Sequence, residues 1–135
     1  MRTPALLVCA VLVLSACSAV PAARCTGSAQ ALIEDELFFG LSTPSGGQIS
    51  EEDWRAFLRD EVTPRFPQGL SVVEAAGQWR GNDGSIVREN SRVLTLAHAD
   101  DAHSETAVQA IMAAYKTRFE QEAVMRLKQR ACASF

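Results

Sequence analysis

The feature that most constrains the fold is the order in which two apolar periodicities follow one another along the chain. Short apolar runs are typical of strands, and apolar residues three and four positions apart are typical of amphipathic helices. The predicted strands cover residues 36–41, 70–80, 86–98 and 123–129, with an interruption expected near residues 89–91. The order is strand, helix, strand, strand, helix, strand, which is the split β-α-β pattern of a ferredoxin-like fold. The sequence therefore predicts an α+β sandwich, with two helices on one face of a four-stranded antiparallel sheet.

Local signals place the two helices and one turn. Ser50 precedes three acidic residues and is the predicted N-cap of the first helix. The pair Thr63-Pro64 ends that helix, because the residue before a proline avoids the α conformation. The polar segment 100–104 caps the second helix, and Asn82-Asp83-Gly84 is typical of a hairpin turn. The apolar stripe of the second helix comprises Val108, Ile111, Tyr115 and Phe119.

The first residues have the pattern of an export signal. Arg2 precedes an uncharged apolar run over residues 5–14, which is too short to span a bilayer core about 30 Å thick. The run ends in Leu14-Ser15-Ala16-Cys17, which resembles the lipobox of bacterial lipoproteins. That resemblance implies cleavage before Cys17 and a diacylglyceryl group on its sulfur. The alternative is ordinary secretion with cleavage after Ala22, which leaves the protein periplasmic or secreted.

The predicted organisation follows from this processing. It consists of a signal peptide over residues 1–16, a tether over 17–31 and a single domain over 32–135. We expect the mature protein in the cell envelope, in contact with the membrane through the lipid on Cys17. In the lipoproteins that it resembles, a residue such as Ser18 rather than aspartate after the cysteine favours the periplasmic face of the outer membrane.

Two cysteines remain in the domain after processing, Cys25 and Cys132. An extracytoplasmic compartment is oxidising, so we predict a disulfide between them. The predicted fold supports the pairing, because its first and last strands are antiparallel neighbours and bring both thiols to one edge. The alternative is a pair of free thiols, although the sequence has no Cys-x-x-Cys motif that would indicate a redox role.

Composition and motifs exclude several classes of function. The net charge is -3, whereas nucleic-acid binders usually carry a clear basic excess, so no nucleic-acid partner is expected. The sequence has no Gly-x-Ser-x-Gly, no His-Glu-x-x-His and no phosphate-binding loop, and no cofactor is predicted. His98, Asp100, Asp101 and His103 resemble a metal-ligand cluster, but their place before a helix favours a cap, and no metal is predicted.

Four residues are the candidate ligand-binding set. Arginine forks suit carboxylate or phosphate groups, and an indole ring beside a hairpin turn can stack on a ligand. The plainer interpretation is that the arginines form surface ion pairs and that the indole packs over the sheet. Three further basic residues on the last strand either protect a sheet edge or form a stripe for an anionic polymer. The candidates are Arg65, Trp79, Arg80 and Arg88, and the stripe is Arg126, Lys128 and Arg130.

Several strings together resemble a known bacterial family. They include Leu37-Phe38-Phe39-Gly40-Leu41, Thr63-Pro64-Arg65-Phe66, Gly77-Gln78-Trp79-Arg80 and Ala131-Cys132. The family is a domain of unknown function marked by a Thr-Pro-Arg-Phe motif, and the similarity extends from about residue 36 to residue 135. The resemblance implies a small secreted or lipid-anchored bacterial protein, and it implies no activity or ligand.

The leading functional hypothesis is a non-catalytic envelope module that binds another envelope protein or polymer. A second is a small-ligand binder or enzyme on a ferredoxin-like dimer, in which Phe38, Leu94 and Leu96 make the second face of the sheet apolar. A third is an inhibitor of a secreted hydrolase that uses a projecting loop at residues 80–86. The oligomeric state is left open.

Overall fold

The computed structural model describes residues 25–135, which form one antiparallel sheet and two helices. The sheet order is β2-β3-β1-β4, and every pair of neighbouring strands is antiparallel. This arrangement confirms the predicted ferredoxin-like sandwich. In this part of the chain, neither helix is long and apolar enough to cross a membrane. The elements are β1 (Gln30–Gly40), α1 (Glu51–Phe57), β2 (Ser71–Arg80), β3 (Ile86–His98), α2 (Ala102–Phe119) and β4 (Met125–Ala133).

The first and last strands differ from their predicted bounds. β1 begins six residues earlier than expected. The apolar pattern did not indicate this part of the strand, because Glu34, Asp35 and Glu36 interrupt it although the side chains still alternate between the two faces. β4 begins and ends later than predicted, in register with the longer β1. β3 is uninterrupted, because its polar residues at 89–91 pair with β2 across the hairpin.

The helix boundaries follow the local signals. The Ser50 hydroxyl accepts a hydrogen bond from the Asp53 amide at 3.1 Å, so Ser50 caps α1 as predicted. α1 continues as a π-helical turn, Leu58–Val62, and the helical path ends just after it, at Thr63-Pro64. The Asp101 carboxylate accepts from the Ser104 amide at 2.7 Å, which confirms the predicted cap of α2.

The core lies between the helices and one face of the sheet, which we call the helix face. Leu37 of β1 pairs with Leu94 of β3, and both are fully buried there. Leu96 is fully buried on the same face, so the prediction that Leu94 and Leu96 line the second face is wrong. The reason is parity, because a strand places alternate residues on opposite faces and β3 presents its even-numbered residues to the helices. Phe38 does lie on the second face, which we call the open face.

The disulfide between Cys25 and Cys132 confirms the predicted cross-link. Its sulfur atoms are 2.05 Å apart and its Cα atoms are 5.5 Å apart. Cys132 sits in β4 opposite Ala31 of β1, so strand pairing brings the two ends of the domain together. The cross-link closes the end of the sheet where β1 begins.

Candidate functional site

The open face of the sheet carries a shallow groove of about 360 Å³ near the end of β1. Four of the exposed large apolar side chains in the described residues lie on this face, and the other two are Ile86 beside the hairpin turn and Phe135. The four are Val73, Trp79, Met125 and Leu127. Small residues form the floor of the groove because β2 contributes alanine and glycine at its outward positions. We call this feature the open-face groove, and its lining includes Phe38, Gly40, Ala75, Gly77, Trp79 and Met125.

The carboxylate of Glu89 is the charged group of the open-face groove. Its Oε1 accepts a hydrogen bond from the Trp79 indole Nε1 at 2.7 Å, and its Oε2 accepts from the Ser42 amide at 3.0 Å. These bonds hold the carboxylate and the indole in fixed relative positions. None of the ion pairs among residues 25–135 includes Glu89. Two neutral donors therefore hold a negative charge beside apolar side chains.

Gly40 makes room for this carboxylate. A Cβ atom added to Gly40 would lie 2.5 Å from Oε1 of Glu89, which is shorter than any ordinary contact. The carbonyl of Gly40 accepts a hydrogen bond at 2.8 Å from the hydroxyl of Tyr115, a buried residue of α2. Burial raises the pKa of Tyr115 well above its usual range, and the charge of Glu89 raises it further. Tyr115 is therefore a permanent donor that joins α2 to the end of β1.

A second contact, from the segment just after α2, borders the open-face groove. The side-chain amide of Gln121 donates to the Ser42 carbonyl at 2.8 Å. Ser42 thus contacts Glu89 through its amide and Gln121 through its carbonyl. The segment after β1 is held on both sides, and this fixes the amide that faces Glu89.

The structure brings one of the four predicted ligand-binding residues to the groove. Trp79 lines the groove. Arg80 and Arg88 occupy even-numbered positions of β2 and β3, which belong to the helix face. Arg65 donates to the Glu61 carbonyl at 2.6 Å and to its carboxylate at 3.0 Å, so its guanidinium closes the turn after α1. The four candidates do not converge on one site, and a binding role for the arginines stays a prediction.

Sequence reasoning missed the partnership of Glu89 with Trp79. The signal was present in the hairpin, because a turn at residues 82–84 sets Gly77 opposite Glu89 and Trp79 opposite Val87. Residues directly opposite one another share a face of the sheet, and so do residues two positions apart on one strand. That register places the carboxylate and the indole diagonally on the same face.

A second polar cluster lies at the middle of β1, on the helix face. Asp35 is fully buried, and its two oxygens accept from Nε and Nη2 of Arg126, each at 2.7 Å. Nε2 of His98 lies 2.8 Å from the same carboxylate, and Nδ1 lies 2.8 Å from the Ala99 carbonyl. Burial alone raises the pKa of Asp35, but the hydrogen bonds from Arg126 and His98 outweigh it and lower the pKa below its ordinary value.

The predicted basic stripe on β4 is paired with carboxylates. Arg126 and Lys128 both contact Glu105 of α2, with nitrogen to oxygen distances of 2.6 and 2.8 Å. These contacts hold the pKa of Glu105 well below its usual range. Arg130 contacts Asp100 at 2.8 Å. The cluster joins β1, β3, α2 and β4, and every fully buried side-chain polar atom in residues 25–135 has a partner, which indicates a structural role.

A family of proteins of unknown function, DUF3574, matches residues 34–135. The chain belongs to the DUF3574 family. It confirms the expected domain of unknown function, whereas the Thr-Pro-Arg-Phe motif as the mark of the family stays a prediction. No curated protein matches this DUF3574 chain.

Solved structures similar to this DUF3574 protein share its fold. A phage SAM lyase in complex with S-methyl-5'-thioadenosine has a TM-score of 0.58 at 21% identity, covering 86% of this chain and 97% of that chain. A phage SAM lyase in the apo state has a TM-score of 0.54 at 22% identity, covering 85% of this chain and 95% of that chain. CutA from Synechococcus elongatus PCC7942, complexed with Bis-Tris, gives 0.51 at 12% identity, covering 78% and 87%. At these identities the similarity establishes the fold alone.

Proposed function

We propose that this DUF3574 protein is a small-molecule-binding domain of the cell envelope and that its ligand occupies the open-face groove. The observation that carries the proposal is the carboxylate of Glu89, held by two N–H donors beside apolar side chains. A carboxylate offers about four acceptor positions, so roughly half of its capacity remains for a ligand. A fixed polar group in an apolar concavity is the usual composition of a small-molecule site.

Three properties of the groove support binding of a small molecule. Its volume of about 360 Å³ is within the range of ligand pockets. Trp79 is 37% exposed and its indole N–H is already bonded, so its ring is oriented for stacking before any ligand arrives. The groove lies on paired strands, which limits the ordering entropy that binding costs.

The structural neighbours also support a small molecule as the ligand class. A phage SAM lyase with this fold holds S-methyl-5'-thioadenosine. In the described part of this chain, Glu89 contacts an indole and a backbone amide rather than a second titratable side chain.

We expect a ligand titration to map to the groove. The purified mature protein, with its disulfide intact, is titrated with S-methyl-5'-thioadenosine, S-adenosylmethionine and a set of substituted benzenes and indoles. Binding is followed by amide and indole N–H chemical shifts, and at least one compound should shift the Trp79 indole signal.

A matched pair of variants assigns the site. Gly77→Leu fills the groove floor, and a Cβ added there meets no atom within 4 Å, so the sheet should tolerate it. It should weaken binding about tenfold or more, since the leucine occupies the space of the ligand. Val73→Leu lies on the same strand and face outside the groove lining and should bind as the wild type does. Absence of groove shifts for every compound, or equal binding by both variants, would overturn the proposal.

Light scattering shows in parallel whether a second copy of the chain covers the open face.

The location in the envelope is a further part of the proposal. The signal peptide, the lipobox and Cys17 lie outside the described residues. The Cys25–Cys132 disulfide supports export, because such cross-links persist in oxidising compartments. β1 runs from the disulfide end of the sheet to the groove, a length of about 33 Å for ten residue steps. A lipid on Cys17, eight residues before Cys25, would join the domain to the membrane from the disulfide end of the sheet, opposite the groove.

Lipid attachment has a direct test. We expect protein extracted from membranes to begin at Cys17 and to carry the mass of a diacylglyceryl group, with or without a third acyl chain. Cys17→Ser should move the protein from the membrane fraction to the soluble fraction, because loss of the acyl chains removes the anchor. A membrane-extracted chain that begins at Ala23 or Arg24 without lipid would contradict this proposal.

A further inference from the structure

We infer that the ligand of the open-face groove is an organic cation, with an ammonium-type group attached to a planar ring. The inference rests on the proposed function and names the chemical class that the groove selects. It follows from the distribution of charge between the two faces of the sheet, from the contacts of Glu89 and from the position of Trp79.

The sheet sorts its charges by face. Every lysine and arginine in the four strands is at an even-numbered position of β2, β3 or β4, and in these strands the even-numbered positions belong to the helix face. These residues are Arg80, Arg88, Arg92, Arg126, Lys128 and Arg130. The open-face positions of the same strands include three carboxylates, those of Glu34, Glu36 and Glu89. The open face of the described sheet is therefore acidic, and its negative potential attracts cations and repels anions.

Glu89 lacks a positive partner in the described part of the chain, although a basic residue lies nearby in sequence. Arg92, three positions further along β3, contacts Glu51 and Glu74 at 2.8 Å each, and its pairing with Glu74 is on the helix face. The donors to Glu89 are the neutral groups of Trp79 and Ser42. A cationic ligand supplies the missing positive charge. Its hydrogen bond to the Glu89 carboxylate would be about twice as strong as a hydrogen bond between neutral groups.

Trp79 adds a second attraction for the same chemistry. Its N–H points at Glu89, so an exposed ring face stands beside the carboxylate. A cation over an indole face is attracted by the negative face of the ring, and indole is the best of the aromatic rings in this role. Phe38 and Met125 offer apolar contact to a planar ring that follows the cation.

The test compares three probes that share a benzyl or phenyl ring and differ in charge. Benzylammonium, benzyl alcohol and benzoate are titrated separately into the purified mature protein, with the Trp79 indole signal as the readout. The cation should bind about tenfold more tightly than the alcohol, and benzoate should bind more weakly than both.

Glu89→Gln keeps the size and an acceptor oxygen of the side chain but removes its charge. This variant should reduce the preference for the cation over the alcohol at least fivefold, and unchanged amide signals away from the groove report an intact fold. Glu36→Gln is the matched control, because Glu36 lies on the same face opposite Leu127, away from the groove lining. It should change the preference less than twofold.

Each outcome decides between the two claims. Equal affinities for the cation and the alcohol, or an undiminished preference in Glu89→Gln, would overturn the inference and leave the groove as a binding site for neutral compounds. Failure of all three probes to shift the groove signals would overturn the inference. If every compound in the wider set also fails, the proposed function falls with it.

Discussion

Replacing Asp35 with alanine should lower the free energy of unfolding by about 3–5 kcal/mol, the largest single-residue effect that we expect in this domain. The carboxylate is fully buried and accepts hydrogen bonds from Arg126 and His98 at 2.7–2.8 Å. Its removal leaves two donor side chains near the core without their acceptor. Urea unfolding of the oxidised protein, followed by circular dichroism, measures the change.

A surface carboxylate provides the control. Asp60 contacts Arg59 at 2.8 Å, but both side chains are largely exposed, and Asp60→Ala should cost less than about 1 kcal/mol. The comparison separates the effect of burial from that of losing one negative charge. Equal losses in the two variants would show that the buried cluster does not stabilise the fold.

The buried carboxylate of Asp35 also leads us to expect a response to acid. The pKa of Asp35 is lowered in the folded state, so its charged form is stabilised by folding. This contribution is complete above the unfolded pKa of about 4 and is lost as the pH falls through the folded value. Stability of the wild type should therefore fall more steeply below about pH 4 than stability of Asp35→Asn. Parallel pH curves for the two proteins would contradict the assignment.

Loss of the disulfide should destabilise the domain by about 2–5 kcal/mol. The cross-link joins residues 107 positions apart, so the reduced unfolded chain gains a large amount of conformational freedom. The native contacts change little, because Cys132 is exposed and strand pairing alone aligns β1 with β4. Urea unfolding of the protein with and without reductant measures the effect.

The double variant Cys25→Ser with Cys132→Ser is the matched control for reduction. It should unfold at the midpoint of the reduced wild type and should not respond to reductant. Hydrogen exchange should increase most in β4, an edge strand whose one neighbour in the described sheet is β1. An unchanged midpoint on reduction would mean that the cross-link contributes nothing to stability.

Local features of the sequence were sufficient to predict the helices, the hairpin and the order of the strands. Ser50 and Asp101 satisfy free backbone amides within three residues of themselves, and Pro64 acts on its immediate neighbour. The disulfide was also predictable, because strand order determines which ends of the chain meet. Of the candidate site, Trp79 was found and its partner Glu89 was not, since that pairing depends on the register of β2 and β3.

The sequence by itself determined the ferredoxin-like order of elements and the pairing of Cys25 with Cys132, because local signals and chain order specify both. Only the tertiary structure decided which residues share a face of the sheet. It placed Leu94 and Leu96 against the helices, buried Asp35 between Arg126 and His98, and set Glu89 beside Trp79. The physical reason is that a shift of one residue in strand register transfers every side chain to the other face, and long-range packing selects the register.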